Sequence, residues 1–206
     1  MSRWCYPLVG VACAIACGGG DAAGQGQAGV VGASIAAIQG GALVAVVNPD
    51  QGSVSFLDPD SLKVLGTTVV GGEPHTLLEA VAGTLLVANY KGGEVVAIDE
   101  ASFAVTQRVS LCAGPYGLAA SADATWVAVS CEWDGTVQHL DLGTYTASLI
   151  LGGLHRPRAL AVLGEDVHVA DYIGGMVHDL GSSFRTVPSH SHETKIDDPS
   201  GEAASP

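Results

Sequence analysis

His75, Tyr116 and Arg158 each follow a proline directly, and those prolines, Pro74, Pro115 and Pro157, are spaced by 41 and 42 residues. Imidazole can exchange protons or ligate a metal, phenol can stack and hydrogen-bond, and guanidinium recognises carboxylates and phosphates. A second set recurs at similar spacing: Asn48, Asn89, Cys131 and Asp171, followed by Tyr90, Glu132, Trp133 and Tyr172 in three of the copies. Other chemistry finds little support. His190 and His192 alternate in a polar tail, and His139, His168 and His178 fall on separate strands, so no metal site is expected. None of the cysteines begins a Cys-x-x-Cys-His, which excludes covalent haem attachment to this chain. A Gly-x-Ser-x-Gly elbow and a phosphate loop are also missing. His75 with Asp171 is the one acid–base pair that can be nominated, two repeats apart, so no catalytic residue and no cofactor are assigned.

The elements that position these residues come from self-comparison of the chain. With Asn48, Asn89, Cys131 and Asp171 in register, Gly52, Gly93, Gly135 and Gly175 align four residues later. Val54, Val95, Val137 and Val177 follow two positions on, and the alternating stretch ends at Asp58, Asp99, Asp141 and, in the fourth copy, Gly181. Each unit reads as four short strands; in the second copy these are 75–80, 84–89, 94–99 and 103–111. Ala82-Gly83 and Lys91-Gly92-Gly93 supply the backbone freedom that hairpins need, and Asp58-Pro59-Asp60 initiates a turn. A period of about forty residues with four strands per unit predicts an all-β, propeller-type array of four antiparallel blades, as an open arc or a four-bladed ring. The repeats fall at about 30–70, 71–111, 112–152 and 153–187.

Gly71-Gly72-Glu73-Pro74-His75, Leu85-Leu86-Val87-Ala88-Asn89 and Gly93-Glu94-Val95-Val96-Ala97-Ile98-Asp99 together resemble the YVTN-type β-propeller repeat. The resemblance runs from Val30 to Val187, with Cys131 and Asp171 departing from the repeat-ending Asn. It implies blades arranged around a channel. The loop that enters each inner strand then shares a face with the end of the second strand. That face would gather His75, Tyr116, Arg158, Asn48, Asn89, Asp171, Tyr90, Trp133 and Tyr172 as a surface for a protein or small ligand, because loops on a rigid scaffold are where binding residues concentrate. The family commonly closes seven blades, so four blades leave three expectations: closure at four, pairing with a second copy, or truncation of a longer propeller's reading frame, the last being preferred. Some members are joined to di-haem cytochrome c peroxidase-like domains, and some propellers are lyases. Both are alternatives to a non-catalytic binding role.

Lys+Arg 8 against Asp+Glu 21 gives a net charge of −13, which repels nucleic acid and anionic head groups. Residues 1–17 read differently from the rest. Arg3, an apolar run over 8–16, and Ala14-Ile15-Ala16-Cys17 resemble a lipoprotein signal peptide with Cys17 as the lipidated residue. That run is shorter than the about 20 residues a spanning helix requires. Residues 18–29 have the composition of a flexible tether and 188–206 that of a disordered polar tail. The expected location is the bacterial cell envelope, with membrane contact through the lipid alone. With Cys5 and Cys13 removed by processing, Cys112 and Cys131 remain, either as a disulfide or as two thiols.

Overall fold

The computed structural model describes residues 29–181 together with the strand at 185–188, so the expected signal peptide, Cys17, most of the tether and the polar tail lie outside the described residues. Among the described residues sixteen strands form four antiparallel four-stranded sheets. Blade 1 contains β1 (Ile35–Ile38), β2 (Leu43–Asn48), β3 (Ser53–Leu57) and β4 (Val64–Val69). Blade 2 contains β5 (Pro74–Val81), β6 (Thr84–Asn89), β7 (Glu94–Asp99) and β8 (Val105–Ser110). Blade 3 contains β9 (Pro115–Ala120), β10 (Trp126–Cys131), β11 (Thr136–Asp141) and β12 (Ala147–Leu151), and blade 4 contains β13 (Pro157–Leu163), β14 (Asp166–Asp171), β15 (Met176–Asp179) and β16 (Arg185–Pro188).

The aligned glycines explain the middle hairpin of every blade. Gly52, Gly93, Gly135 and Gly175 have φ of 59°, 67°, 64° and 62°, a region closed to most side chains and needed to turn the second strand into the third. The next turn uses a second device. Asp58, Asp99 and Asp141 each accept the backbone N–H and the hydroxyl of the residue three positions on, Ser61, Ser102 and Thr144. Those bonds draw all three carboxyls below their ordinary range. The turn also delays the fourth strand of blade 2, which begins at Val105 rather than at 103, because Phe103 occupies the left-handed region at φ 58°.

Burial follows the stacking of blades. In β6 and β10 five consecutive residues are buried, so both faces of these central strands are covered. In β2 and β14 buried and partly exposed residues alternate, as in strands with one face packed. Three apolar cores account for this. Blades 1 and 2 meet through Ala45, Val47, Phe56, Leu77, Val87 and Ile98; blades 2 and 3 through Leu78, Leu86, Ala88, Leu118, Val127 and Leu140; blades 3 and 4 through Ala119, Ala128, Val137, Leu160, Val162 and Val169. Among the described residues no core joins blade 4 back to blade 1, and the array is an open arc. Burying one Leu or Val contributes about 1.5–3 kcal/mol, so each blade depends on its neighbours for its stability.

Candidate functional site

In blades 2, 3 and 4 the inner strand begins at its repeat proline, which has no N–H to place in the ladder and is tolerated as the first residue of a strand. Pro74 pairs with Asn89, Pro115 with Cys131 and Pro157 with Asp171. Directly afterwards each of these three inner strands holds one residue more than its partner, a β-bulge: 74–76 against 88–89, 115–118 against 129–131, and 157–160 against 169–171. A bulge removes a residue from the ladder and re-aims its side chain. It falls at His75, and within Tyr116-Gly117 and Arg158-Ala159, so the three residues of unlike chemistry leave the sheets at the same height.

They converge. The rings of His75 and Tyr116 stack with centroids 5.0 Å apart, and Tyr90 meets them edge-on at 4.9 Å and 6.0 Å. Trp133 continues the run at 6.1 Å from Tyr90. The Cζ of Arg156 lies 3.9 Å above the Trp133 ring, and that of Arg158 lies 4.2 Å from the Tyr172 centroid and 5.1 Å from that of Tyr116. At one edge Glu73 pairs with His75 at 3.3 Å and with Lys91.

Glu132 holds this surface together from below. Its side chain is 1% exposed, and its Oε1 accepts Arg156 Nη1 at 3.0 Å and Arg158 Nη2 at 2.8 Å. Burial pushes its carboxyl upward, but the bonds from Arg158, Arg156 and the Tyr90 hydroxyl outweigh burial and keep it below its ordinary range. Burial first, then the bond to Glu132, raises Tyr90 to about 12, so this phenol stays protonated and serves as a donor. The Arg158 guanidinium is held more firmly protonated by the same carboxylate. Ser130, fully buried, donates to the Arg158 carbonyl at 2.7 Å and accepts the Gly117 N–H at 2.8 Å, which fixes the bulges of blades 3 and 4 against each other. A Cβ on Gly117 would lie 2.0 Å from that carbonyl, so the close approach requires glycine.

Asn89, Cys131 and Asp171, which end the second strands opposite the repeat prolines, have buried side chains. Asn89 is 1% exposed and donates through Nδ2 to the Val70 carbonyl at 3.3 Å and to Glu94 at 3.1 Å. Asp171, 4% exposed, accepts the His155 N–H at 2.8 Å. In blade 3 a disulfide joins Cys131 to Cys112. Amide, carboxylate and disulfide thus perform one task, fastening the incoming connection to the end of the second strand. The departures from Asn at Cys131 and Asp171 keep the clip and change its chemistry. Asn48 bonds Ser53 and Ser55 within blade 1. Asp171 has His155 and His178 as its ionic neighbours, whereas His75 has Glu73, so these contacts do not make an acid–base pair of His75 and Asp171.

Glu132 and Arg156 carry the surface; the repeat pattern put Glu132 in a loop of this face without its buried, arginine-pairing role, and Arg156 was not singled out. Arg156 stands one residue before a repeat proline, where Glu73 and Gly114 occur in the other copies, and that charge was the available signal. Among the described residues no group of three His, Cys, Asp or Glu side chains is placed to hold a metal. The arrangement offers aromatic faces, two cations sharing one carboxylate, and exposed apolar side chains at Trp133, Tyr172 and Ile173, which are 57%, 65% and 64% exposed. These features suit recognition.

Four-stranded sheets stacked through their faces, with proline-led inner strands and loops gathered at one end, define a β-propeller fold. The solved structures that resemble the chain are propeller proteins. They include hydrazine synthase from Kuenenia stuttgartiensis (20% identity, TM-score 0.60, 75% of this chain and 48% of the other) and virginiamycin B lyase from Staphylococcus aureus (14%, 0.66, 76% and 55%). A dihydro-haem d1 dehydrogenase is a third (17%, 0.56, 77% and 37%). At these identities the likeness shows the fold alone, and the chain spans between 37% and 59% of the length of such structures. No protein-family model and no curated protein matches the chain.

Proposed function

We propose that this chain is a non-catalytic binding propeller of the YVTN type that holds a protein or small ligand on the face built by His75, Tyr90, Tyr116, Trp133, Arg156, Arg158 and Tyr172. The observation that carries the reading is the continuous aromatic and guanidinium run fixed by the buried Glu132 carboxylate. Rigid aromatics and arginines of this kind dominate binding energy where they occur. The Gly-x-x-Pro and Gly-x-Val repeats support the family assignment. The Ala14-Ile15-Ala16-Cys17 segment supports export and a lipid anchor at Cys17 in the cell envelope.

The test is a thermal-shift screen of metabolites and short peptides run in parallel on the wild type and on Trp133→Ala/Tyr172→Ala. Ligands that stabilise only the wild type support the reading; ligands that stabilise both equally remove it. A second reading, the propeller portion of a redox protein, is favoured by the dehydrogenase among the structural neighbours. It predicts stabilisation by a haem-containing partner protein at the same face.

A further inference from the structure

Below the loop face, on the channel side of the arc, lies a cavity of about 360 Å³. Its apolar walls include Leu118 and Leu160 from β9 and β13 and Val31 from the segment before β1, and Thr76, Tyr116, Arg158 and Tyr172 are the polar and aromatic side chains among the rest of the lining. The Val31 wall is built by backbone bonds. Residues 29–33 run across the inner strands of three blades: Gly29 N–H donates to Val162 O at 2.9 Å, Ala120 N–H to Val30 O at 2.8 Å, Gly32 N–H to Leu118 O at 2.8 Å, and Ala33 exchanges bonds with Leu77 at 3.0 and 2.8 Å. A Cβ on Gly32 would come within 2.6 Å of Thr76 Cγ2, so the strap lies close enough to β5 to exclude a side chain there.

Arg158 supplies the charged group of this cavity. Its Nη2 donates to Glu132, and its Nε has no acceptor among the described residues. Because Arg156 and Arg158 share the one carboxylate of Glu132, these three groups retain a net positive charge, in a chain whose formal charge is −13. The Tyr116 and Tyr172 rings hold the guanidinium between them, and Ser130 anchors its backbone. A pre-positioned guanidinium whose side chain is 33% exposed, in a largely apolar recess, matches a carboxylate in charge and geometry. A phosphate dianion would exceed the single net positive charge of the Arg156, Arg158 and Glu132 group, and a neutral body would leave that charge unmatched.

We propose that this cavity binds a small organic carboxylate whose body is an aromatic ring or a branched hydrocarbon, with the carboxylate on Arg158 and the body against Val31, Leu118 and Leu160. The proposal rests on the binding role above and names the ligand class of its channel side.

The experiment is saturation-transfer NMR and calorimetry on the full chain with benzoate, phenylacetate and isovalerate, with benzamide as the neutral match. Benzoate is expected to bind saturably, benzamide at least about tenfold more weakly, since a charge-assisted bond is worth about 1.5–3 kcal/mol. Arg158→Gln should weaken benzoate by a similar factor, and Arg108→Gln, on the outer strand of blade 2, should leave it unchanged. Circular dichroism of each variant separates lost binding from lost fold. Should Arg158→Gln fail to fold, benzoate against benzamide on the wild type, titrated at low and high salt, decides alone. Equal binding of acid and amide, no saturable binding of any of the three acids, or an unaffected, folded Arg158→Gln each overturns the proposal. If the acids fail while Trp133→Ala/Tyr172→Ala still abolishes a ligand from the thermal-shift screen, the carboxylate assignment falls and the loop-face reading stands. If the acids bind and that screen finds no ligand specific to the wild type, the reverse holds.

Discussion

Removing the Glu132 carboxylate separates its role from that of the rings it supports. Glu132→Ala leaves the Arg156 and Arg158 guanidiniums and the Tyr90 hydroxyl without their shared acceptor. Breaking a fully buried pair from one side costs about 3–5 kcal/mol. The two arginine side chains are about one-third exposed, so water takes up part of their hydrogen bonding and the lower end, about 3 kcal/mol, is expected. At about 2–4 °C per kcal/mol for a domain of this size, the melting temperature should fall by about 6–12 °C. Glu132→Gln keeps an acceptor oxygen and removes the charge, so it should lie between wild type and Glu132→Ala. The effect must depend on pH in one direction. A carboxyl held below its ordinary value of 4.5 in the folded protein contributes stability that is full above that value and is lost as pH falls through the lower, folded value. Urea denaturation of the three proteins, followed by tryptophan fluorescence at pH 7 and in steps below pH 4.5, measures this. Coincident curves at pH 7, or a gap that widens on acidification, would refute the role given to Glu132.

Glu100 is expected to have the opposite slope. It is buried, and burial followed by the Glu79 carboxylate raises it to about 7 from an ordinary 4.5. The wild type should therefore lose up to about 3 kcal/mol as pH rises from 4.5 to 7, and urea midpoints for Glu100→Gln should lack most of that loss. The Cys112–Cys131 bond joins residues 19 positions apart in sequence, and reduction or Cys112→Ser/Cys131→Ser should cost roughly 3 kcal/mol in the chain-entropy description. Denaturation with and without reductant measures this, and non-reducing mass spectrometry with thiol labelling checks the bond itself. Asp171→Asn keeps an acceptor for the His155 N–H and should perturb blade 4 less than Asp171→Ala does, as read by hydrogen exchange at 155.

The blades were legible because their turns admit few residues. Glycine at 52, 93, 135 and 175 is demanded by positive φ, and repeat arithmetic on those positions alone brings His75, Tyr116 and Arg158 to a common height. The bulges that aim these side chains were not legible, since a proline marks the start of a strand but not an extra residue after it. Glu132 was also hidden: its partners lie 24 and 26 residues away, in the next blade, and only stacking brings them together. Asn89 and Asp171 show how a correct register still leaves orientation open. They stand at the end of the second strand, as the repeat requires, and their side chains turn inward to fasten backbone. The strap at 29–33 has no period to read, because it pairs with other strands only through its main chain.

Convergence of His75, Tyr90 and Tyr116, which come from two blades and lie up to 41 residues apart in sequence, is the point on which the binding face depends. Nuclear Overhauser spectra of protein labelled in its histidine and tyrosine rings measure it directly. Cross-peaks from the His75 ring to both the Tyr116 and Tyr90 rings are predicted. Their absence in protein that still shows Leu86 to Val127 contacts between blades 2 and 3 would contradict it.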